Sequence, residues 1–354
     1  MLTLTHDIHK NNLLKIDEYY NVYEIAAFDI ETTGFSAETT SLYLIGCAFY
    51  SDDKWVVRQW FNDDGKSEAD ILNAFISFIS NYKYLLHYNG DGFDIPYLTK
   101  KLSNYNIEFD FASLISVDLY KVIRPFKNIL HIDNLKQKTI EHLININRLD
   151  KYSGGDLIKI YKDYLASDDD KLKQLLLQHN YEDLEGLMYS LCIMSYQKLK
   201  SGEFKVSKMY VRDNNLYFAL NLVHAIPVRI SLGNSDITIT AYNNEATIKA
   251  NIIDEELKFF FENYSDYYYL PTEDMAIHKS VASFVDRNYR TQAKRSNCYT
   301  KRKGYFISQI DAGIVTGYKR TYEDSESFIE LSDSFLQDMD MIDRYAKHII
   351  DKML

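Results

Sequence analysis

The chain has 354 residues, of which 46% are hydrophobic and 26% charged, a composition typical of globular proteins and a length that suits two domains. The net charge of −11 argues against a coat of basic residues over the whole surface, although not against a local basic patch. No apolar run reaches the roughly 20 residues of a membrane helix, and the N-terminus lacks a signal-peptide apolar core. The three cysteines are too widely spaced for a disulfide framework or a zinc site. We therefore expect a cytoplasmic protein with no membrane partner.

The first 200 residues alternate between strand and helix patterns. Residues 1–24 are interpreted as a polar N-terminal lead-in. Hydrophobic periodicity then predicts strands at 25–30, 42–50, 55–61, 84–88 and 114–123, and helices at 67–81, 93–104, 135–146, 156–165 and 170–200. Three successive strands with short turns indicate an antiparallel meander. The whole pattern predicts an α/β domain over residues 25–200, with a mixed sheet flanked by helices.

Residues 201–354 are interpreted as a smaller C-terminal α+β domain. Ser201 and Gly202 end the long helix and mark the predicted domain boundary. Beyond them the pattern predicts strands at 225–232, 235–242 and 245–252, with hairpin turns at 233–234 and 243–244, then a helix near 254–263 and an acidic helical tail.

Two carboxylates lie at the end of the first apolar strand. Asp29 and Glu31 are two residues apart, and because side chains alternate along a strand they point to the same side. Like charges there repel each other and burial would raise their pKa values, and a divalent cation would relieve both effects. Alone, the pair is more simply interpreted as a solvated strand end, so a metal site requires further ligands.

Further carboxylates lie on two predicted helices. Asp94 follows the turn at 89–92 and stands at the start of a helix, where a carboxylate is also an ordinary cap. His179 and Asp183 are four residues apart on the long helix and therefore share a face, although they could form an ordinary surface pair. An acidic residue on a packed helix near other acids would also need a counter-charge.

Taken together, these segments resemble the three exonuclease motifs of the DEDD superfamily of RNase H-like 3′–5′ exonucleases, and most closely the YprB-type RNase H-like domain. The similarity covers about residues 22–200 and holds in order and spacing. The segments that carry it are 28–34, 43–46, 87–98, 135–141, 154–155 and 179–184.

The resemblance implies two divalent cations, Mg²⁺ or Mn²⁺, about 4 Å apart and held by oxygen ligands. Asp29 would bridge both ions. Glu31 and Asp183 would hold the ion that activates water, and Asp94 would support the second ion. His179 is the candidate general base, since a histidine can accept a proton near pH 7. It departs from the larger subfamilies, because it stands four residues before Asp183, in a register where one of them has tyrosine.

Several residues are candidates for substrate binding. Four of them come directly after Glu31, where they could meet the terminal nucleotide or serve only as turn residues: Thr32, Thr33, Gly34 and Phe35. Asn89, in the second motif, could orient the turn before Asp94 or contact substrate. Residues 287–303 hold seven basic residues and no acidic one, with tyrosines among them, which favours single-strand binding over the alternative of a solvated basic face. The candidates in that segment are Arg290, Lys294, Arg295, Lys301 and Arg302.

The leading interpretation is a metal-dependent 3′–5′ exonuclease that acts on single-stranded 3′ ends of DNA or RNA. One alternative is a structure-selective endonuclease with the same metal chemistry. Another is a catalytically silent nucleic-acid-binding scaffold. Any protein partner in repair or RNA processing is left unidentified.

Overall fold

A computed structural model describes residues 1–8, 14–149 and 151–354, which divide into two units, Met1–Tyr196 and Gln197–Leu354. Among these described residues, no helix has the length and apolar character needed to cross a membrane.

The N-terminal unit is built from a sheet with helices on it. Its strands are β1 (Leu2–Asp7), β2 (Ile25–Thr32), β3 (Leu42–Ser51), β4 (Lys54–Phe61), β5 (Tyr84–His87) and β6 (Ile115–Asp118). Its helices are α1 (Glu68–Ile79), α2 (Asp94–Asn104), α3 (Leu119–Ile123), α4 (Gln137–Leu143), α5 (Gly154–Ser167) and α6 (Asp170–Ser190), while α7 (Met194–Lys200) crosses the division between the units.

The strands form one sheet in the order β1-β4-β3-β2-β5-β6. The pairs β1–β4, β4–β3 and β3–β2 are antiparallel, whereas β2–β5 and β5–β6 are parallel. This confirms the predicted mixed sheet flanked by helices, with β2, β3 and β4 as the meander.

Two local predictions need correction in this unit. The segment treated as a lead-in contains β1, where Leu2 and Leu4 alternate with polar residues and pack on the buried cluster beneath α5 and α6. The strand predicted at 114–123 ends at Asp118, because its carboxylate accepts a hydrogen bond from the Tyr120 amide and caps α3.

The sheet has a different buried cluster on each face. Phe28, Ile30 and Trp60 pack with α1 and α2 on one face. Tyr43 and Phe61 pack with α5 and α6 on the other. Because side chains alternate along β2, a strand with Phe28 and Ile30 on the first face must direct its odd-numbered neighbours towards the second.

The C-terminal unit contains three small sheets and short helices. Its strands are β7 (Phe204–Arg212), β8 (Asn215–Gly233), β9 (Ile237–Asn251), β10 (Ile253–Phe260), β11 (Tyr267–Leu270), β12 (Met275–His278), β13 (Thr291–Gln292), β14 (Tyr299–Ser308) and β15 (Phe328–Glu330). Its helices are α8 (Lys279–Ala282), α9 (Asp333–Gln337) and α10 (Met339–Met353). The sheet orders are β7-β8-β9, β10-β14-β15 and β12-β11-β13.

Two predictions for this unit are wrong. The helix predicted near 254–263 is strand β10, which pairs with β14 and buries Leu257 against Phe306 and Phe328. The hairpin turn predicted at 243–244 lies inside β9. Asn243 has a φ of 51° and pairs with Ile226 at a shift of register, so the strand bends there without reversing.

Candidate active site

The strand β2 carries two carboxylates to one face of the sheet. Phe28 and Ile30 lie in the core on the opposite face, so Asp29 and Glu31 point towards α6, which contacts β2 and β3. β2 and β3 pair up to Thr32, with an irregularity after Glu31 where the chain begins to turn away.

Asp29 is held by a buried pair of amide side chains. The Asn180 amide nitrogen on α6 donates to Oδ2 of Asp29 at 2.9 Å. Gln59 on β4 in turn donates its amide nitrogen to Oδ1 of Asn180 at 2.9 Å. Since Asn180 and Gln59 are 0% and 1% exposed, these bonds fix the orientation of the amide and of the carboxylate it holds.

Gly46 provides the space for this contact. It pairs with Asp29 across the β2–β3 ladder. A Cβ at position 46 would lie 2.1 Å from Oδ1 of Asn180 and 2.6 Å from a methyl carbon of Leu184. Only a residue without a side chain therefore lets α6 bring Asn180 to the strand.

Three polar side chains meet beside Asp29. The His179 Nε2 lies 3.0 Å from Oδ2 of Asp183 and 3.5 Å from Oε1 of Glu31. One ligand atom from each of these three residues lies within 4.8 Å of the other two. On its other oxygen, Glu31 accepts a hydrogen bond of 3.4 Å from the Tyr43 hydroxyl.

Asp94 reaches the same region from the start of α2. It is 8% exposed, and its carboxylate accepts a hydrogen bond from the backbone of Ile30 in β2. The preceding turn is held by His87, whose Nδ1 accepts from the Gly90 amide at 3.0 Å. Three separate segments of the chain thus bring the four predicted carboxylates together.

The pKa values of these carboxylates reflect crowding. Burial raises the pKa of Asp29 well above its ordinary value, and the charges of Asp183, Glu31 and Asp94 raise it further. Burial likewise raises the pKa of Glu31 to about 8 and that of Asp94 to about 7. Negative charge is therefore poorly compensated at these three groups.

Asp183 differs from its neighbours because the guanidinium of Arg148 lies against it. Burial would raise its pKa, but the hydrogen bond from His179 and the charge of Arg148 lower it below the ordinary value. Arg148 donates to Oδ1 of Asp183 and to both oxygens of Glu141. This arginine is the counter-charge that sequence reasoning required but did not locate. The only local signal for it was its place seven residues after Glu141, itself part of the segment 135–141.

The donor set suits hard divalent cations. Carboxylate oxygens are the ligands that Mg²⁺ and Mn²⁺ prefer. A bound cation would also offset the repulsion between these buried carboxylates. The residues that could hold such ions are Asp29, Glu31, Asp94 and Asp183, with His179 adjacent.

In the turn after β2, the hydroxyl groups of Thr32 and Thr33 form hydrogen bonds with backbone groups near the turn. The Thr32 hydroxyl donates to the Gly34 carbonyl at 2.8 Å, and that of Thr33 accepts from the Ser41 amide at 2.8 Å. Phe35, by contrast, is 91% exposed, with its ring centre 5.9 Å from that of Phe93. Of these residues, Phe35 is the one that offers a free surface.

Asn89 occupies a fixed, unusual backbone position. Its φ is 59°, and its backbone amide donates to Oδ1 of Asp118 at 2.8 Å. His87, Asp91 and Asp118 lie close enough to form a second cation-binding group. Their hydrogen bonds instead hold this turn, because Asp91 accepts from Ser116 at 2.7 Å and Asp118 accepts from Asn89.

The basic segment of the C-terminal unit is partly neutralised. Lys301 forms an ion pair with Asp274, and Arg302 forms one with Glu330 at 2.7 Å. The guanidinium of Arg290 lies 5.0 Å from the ring centre of Tyr268 and donates to the Ala282 carbonyl.

The remaining two candidates of this segment are more accessible. Lys294 and Arg295 are both exposed. The Arg295 guanidinium lies 5.7 Å from the Tyr264 ring centre, so a cation and an aromatic face are presented together.

Comparison with known proteins identifies the class of the first unit. Residues 26–189 match a family model described as the RNase_H superfamily, and the sheet and helices described above are consistent with that fold. The N-terminal unit therefore contains an RNase H-like domain.

Among individual proteins, 179 residues are 24% identical to DNA polymerase 1 of Aeropyrum pernix, a match that covers 50% of this chain and 17% of the polymerase. The family B DNA polymerase of Pyrobaculum calidifontis has a TM-score of 0.41 at 13% identity, covering 68% of this chain and 35% of the polymerase. A zinc-bound complex of E. coli ExoI with single-stranded DNA has a TM-score of 0.27 at 13% identity, covering 61% of this chain and 53% of ExoI. Sequence identities and TM-scores this low do not define an activity for this chain.

Proposed function

We propose that this protein is a metal-dependent nuclease of the DEDD superfamily, with a YprB-type domain, that removes nucleotides from single-stranded 3′ ends of DNA or RNA. The observation that carries the proposal is the convergence of Asp29, Glu31, Asp94 and Asp183 from three distant segments in one buried cluster, where burial and mutual repulsion raise three of their pKa values. Buried acidic groups that only stabilised the fold would be paired with cations, as Asp183 is with Arg148.

In this proposal the carboxylates bind two Mg²⁺ or Mn²⁺ ions. The ions would supply positive charge against the scissile phosphate and Lewis acidity towards water. Asp29 is fixed by Asn180, which suits a ligand that both ions would share. Glu31 and Asp183, which lie beside His179, would hold one ion, and Asp94 at the start of α2 would support the other.

His179 takes the role of general base. Its Nε2 is directed at the gap between Glu31 and Asp183, at 3.5 and 3.0 Å from their oxygens. A water molecule held by the same carboxylates would lie within reach of that nitrogen, and proton transfer of this kind contributes on the order of 10²-fold or more to rate.

Substrate contacts are proposed on both units. Phe35 is exposed in the turn that follows Glu31, where it could stack on a terminal base, and Asn89, in the turn before Asp94, is a further candidate contact. On the C-terminal unit, Lys294 and Arg295 are exposed cations that could bind the phosphate backbone of a single strand. The structure-selective endonuclease remains the second candidate, because the same ligands can cut internal bonds.

The test uses 5′-labelled DNA and RNA oligonucleotides with Mn²⁺. We expect stepwise shortening by the full-length protein, loss of it in Asp29→Asn, and retention in Asp70→Asn, an exposed acid on α1. Hydrolysis that persists in EDTA, or that is equal in the two variants, contradicts the proposal. Cleavage of circular single-stranded DNA would support the endonuclease instead.

A further inference from the structure

Arg148 is an almost fully buried cation inside the carboxylate cluster. Its side chain is 7% exposed, and that of Glu141 is 1% exposed. The Arg148 Nε and Nη2 donate to the two oxygens of Glu141, while Nη1 donates to Oδ1 of Asp183. One guanidinium plane therefore bridges an acid on α4 and an acid on α6.

Hydrogen bonds from Leu149 and from Gln137 hold the residues on either side of this bridge in place. The Leu149 amide donates to Oε2 of Glu182 at 3.1 Å, which ties the loop after α4 to α6. Gln137 on α4 donates to Oε1 of Glu141 at 2.9 Å and to the Asp183 carbonyl at 2.7 Å. The loop and the acid that hold Arg148 are thus each anchored to α6 next to Asp183.

A glycine on α6 lets Glu141 approach the helix. A Cβ at Gly186 would lie 2.1 Å from Oε1 of Glu141, so any other residue would push this carboxylate away. Gly186 has for Glu141 the role that Gly46 has for Asn180. Both glycines clear space for a polar side chain that does not itself belong to the four predicted ligands.

The consequence concerns how Asp183 can bind a metal ion. Its Oδ1 is taken by Arg148, and its Oδ2 faces His179 at 3.0 Å. We propose that Arg148 is a positioning residue that reserves Oδ1 of Asp183, so that this carboxylate binds its metal ion through Oδ2 alone. This inference rests on the proposed function, since it assigns a binding mode to the same metal site.

Arg148 acts on Asp183 through the direction of its hydrogen bond more than through its charge. Glu141 accepts two bonds from Arg148, so the pair adds little net charge to the site. A guanidinium is planar and can donate to two carboxylates in fixed directions, whereas an ammonium of the same charge has no such fork. Arg148→Lys therefore separates the position of the donor from its charge.

The experiment measures Mn²⁺ binding to the full chain without nucleic acid, by electron paramagnetic resonance of the free ion. We expect Arg148→Lys to weaken Mn²⁺ binding on the order of tenfold, as is typical for partners of metal ligands. Arg58→Lys is the matched control, because Arg58 is a partly buried arginine of the same unit that lies over the rings of Phe49 and Phe78. It should leave the affinity unchanged.

A second variant and a kinetic measurement distinguish loss of the Arg148 bridge from misfolding of the Arg148→Lys variant. Glu141→Gln keeps Arg148 but removes the charge that anchors it, and we expect a smaller loss of Mn²⁺ affinity in the same direction. In hydrolysis, the half-saturating Mn²⁺ concentration should rise in both variants by the factor found in binding, with less change at saturating Mn²⁺.

The outcomes separate the two proposals. Wild-type protein that binds no Mn²⁺ would overturn the proposed function together with this inference. Wild-type protein that binds Mn²⁺ and hydrolyses oligonucleotides, with folded Arg148→Lys and Glu141→Gln variants of unchanged affinity, would overturn the inference alone.

Discussion

The side-chain amide of Asn180 donates a 2.9 Å hydrogen bond to Oδ2 of Asp29, across 151 residues of sequence. The amide is itself fixed, because its oxygen accepts from Gln59. The orientation of the carboxylate proposed to bridge two ions is thus determined by a neutral residue on another element. The consequences of this contact, and of the charges around it, can be measured.

Asn180→Ala removes the donor to Asp29 and leaves the Gln59 amide nitrogen with the Leu177 carbonyl as its acceptor. We expect Mn²⁺-dependent hydrolysis to fall about 10- to 100-fold, because partners that orient a metal ligand have effects of that size. Asn73→Ala, at an exposed position of α1 where the side-chain amide donates to the Ala69 carbonyl, is the control. Rates within about threefold of each other in the two variants would assign Asn180 to packing.

Gly46→Ala places a methyl group against Oδ1 of Asn180 and a methyl carbon of Leu184. Since both neighbours are buried, we expect the free energy of unfolding to fall by about 1–3 kcal/mol, measured with urea. Gly154→Ala is the matched control, because a Cβ at that position meets no atom within 4 Å. Equal stability of the two variants would mean that α6 shifts freely on the sheet.

The stability of the metal-free protein should depend on pH. Burial raises the pKa of Glu31 to about 8 and of Asp94 to about 7. Groups with raised pKa values in the folded state favour folding most below their ordinary values near 4, and this contribution is lost as the pH rises through 7 and 8.

In EDTA, we therefore expect Tm to fall by several degrees between about pH 5 and about pH 9, and Mn²⁺ to restore it at the alkaline end. Glu31→Gln should reduce the pH dependence, whereas Glu108→Gln, at an exposed position, should leave it as in the wild type. A Tm that rises with pH in EDTA would contradict the description of these carboxylates as repelling one another.

His179→Gln tests the general base. We expect the rate at saturating Mn²⁺ to fall about 100-fold or more while Mn²⁺ affinity changes only a few-fold, because the residue would act on water and not on the ion. His142→Gln, on the exposed side of α4, should change neither quantity. An unchanged rate would leave His179 with a structural role as a partner of Asp183.

Two pairs of residues in the basic segment 287–303 should contribute differently to single-strand binding. Replacing Lys294 and Arg295 with alanine should weaken single-strand binding and reduce the slope of log affinity against log salt by about 1.4, as for two phosphate contacts. Replacing Lys301 and Arg302 should have a smaller effect on binding, since Asp274 and Glu330 already neutralise them. Fluorescence anisotropy in EDTA measures both, and equal losses would contradict this difference.

The sequence alone supported the architecture of the first unit and the grouping of its acids. Strand periodicity places Asp29 and Glu31 on one side, helix periodicity places His179 and Asp183 on one face, and the alternation of strands with helices predicts the mixed sheet. These inferences succeed because each depends on residues within a few positions of one another. The edge strand β1 was overlooked because only Leu2 and Leu4 carry its pattern.

Tertiary structure decided what the acids contact. Nothing in the local pattern connects Asn180 with Asp29, or Arg148 with Asp183, because these pairs form only when α6 packs on the sheet and the loop after α4 packs on α6. The same holds for β10, whose charged and aromatic residues suit a helix until β14 provides a partner. Periodicity determined which way Asp29, Glu31 and Asp183 face, whereas long-range packing brought Asp94 to them and determined that Asp183 has Arg148 as its counter-charge.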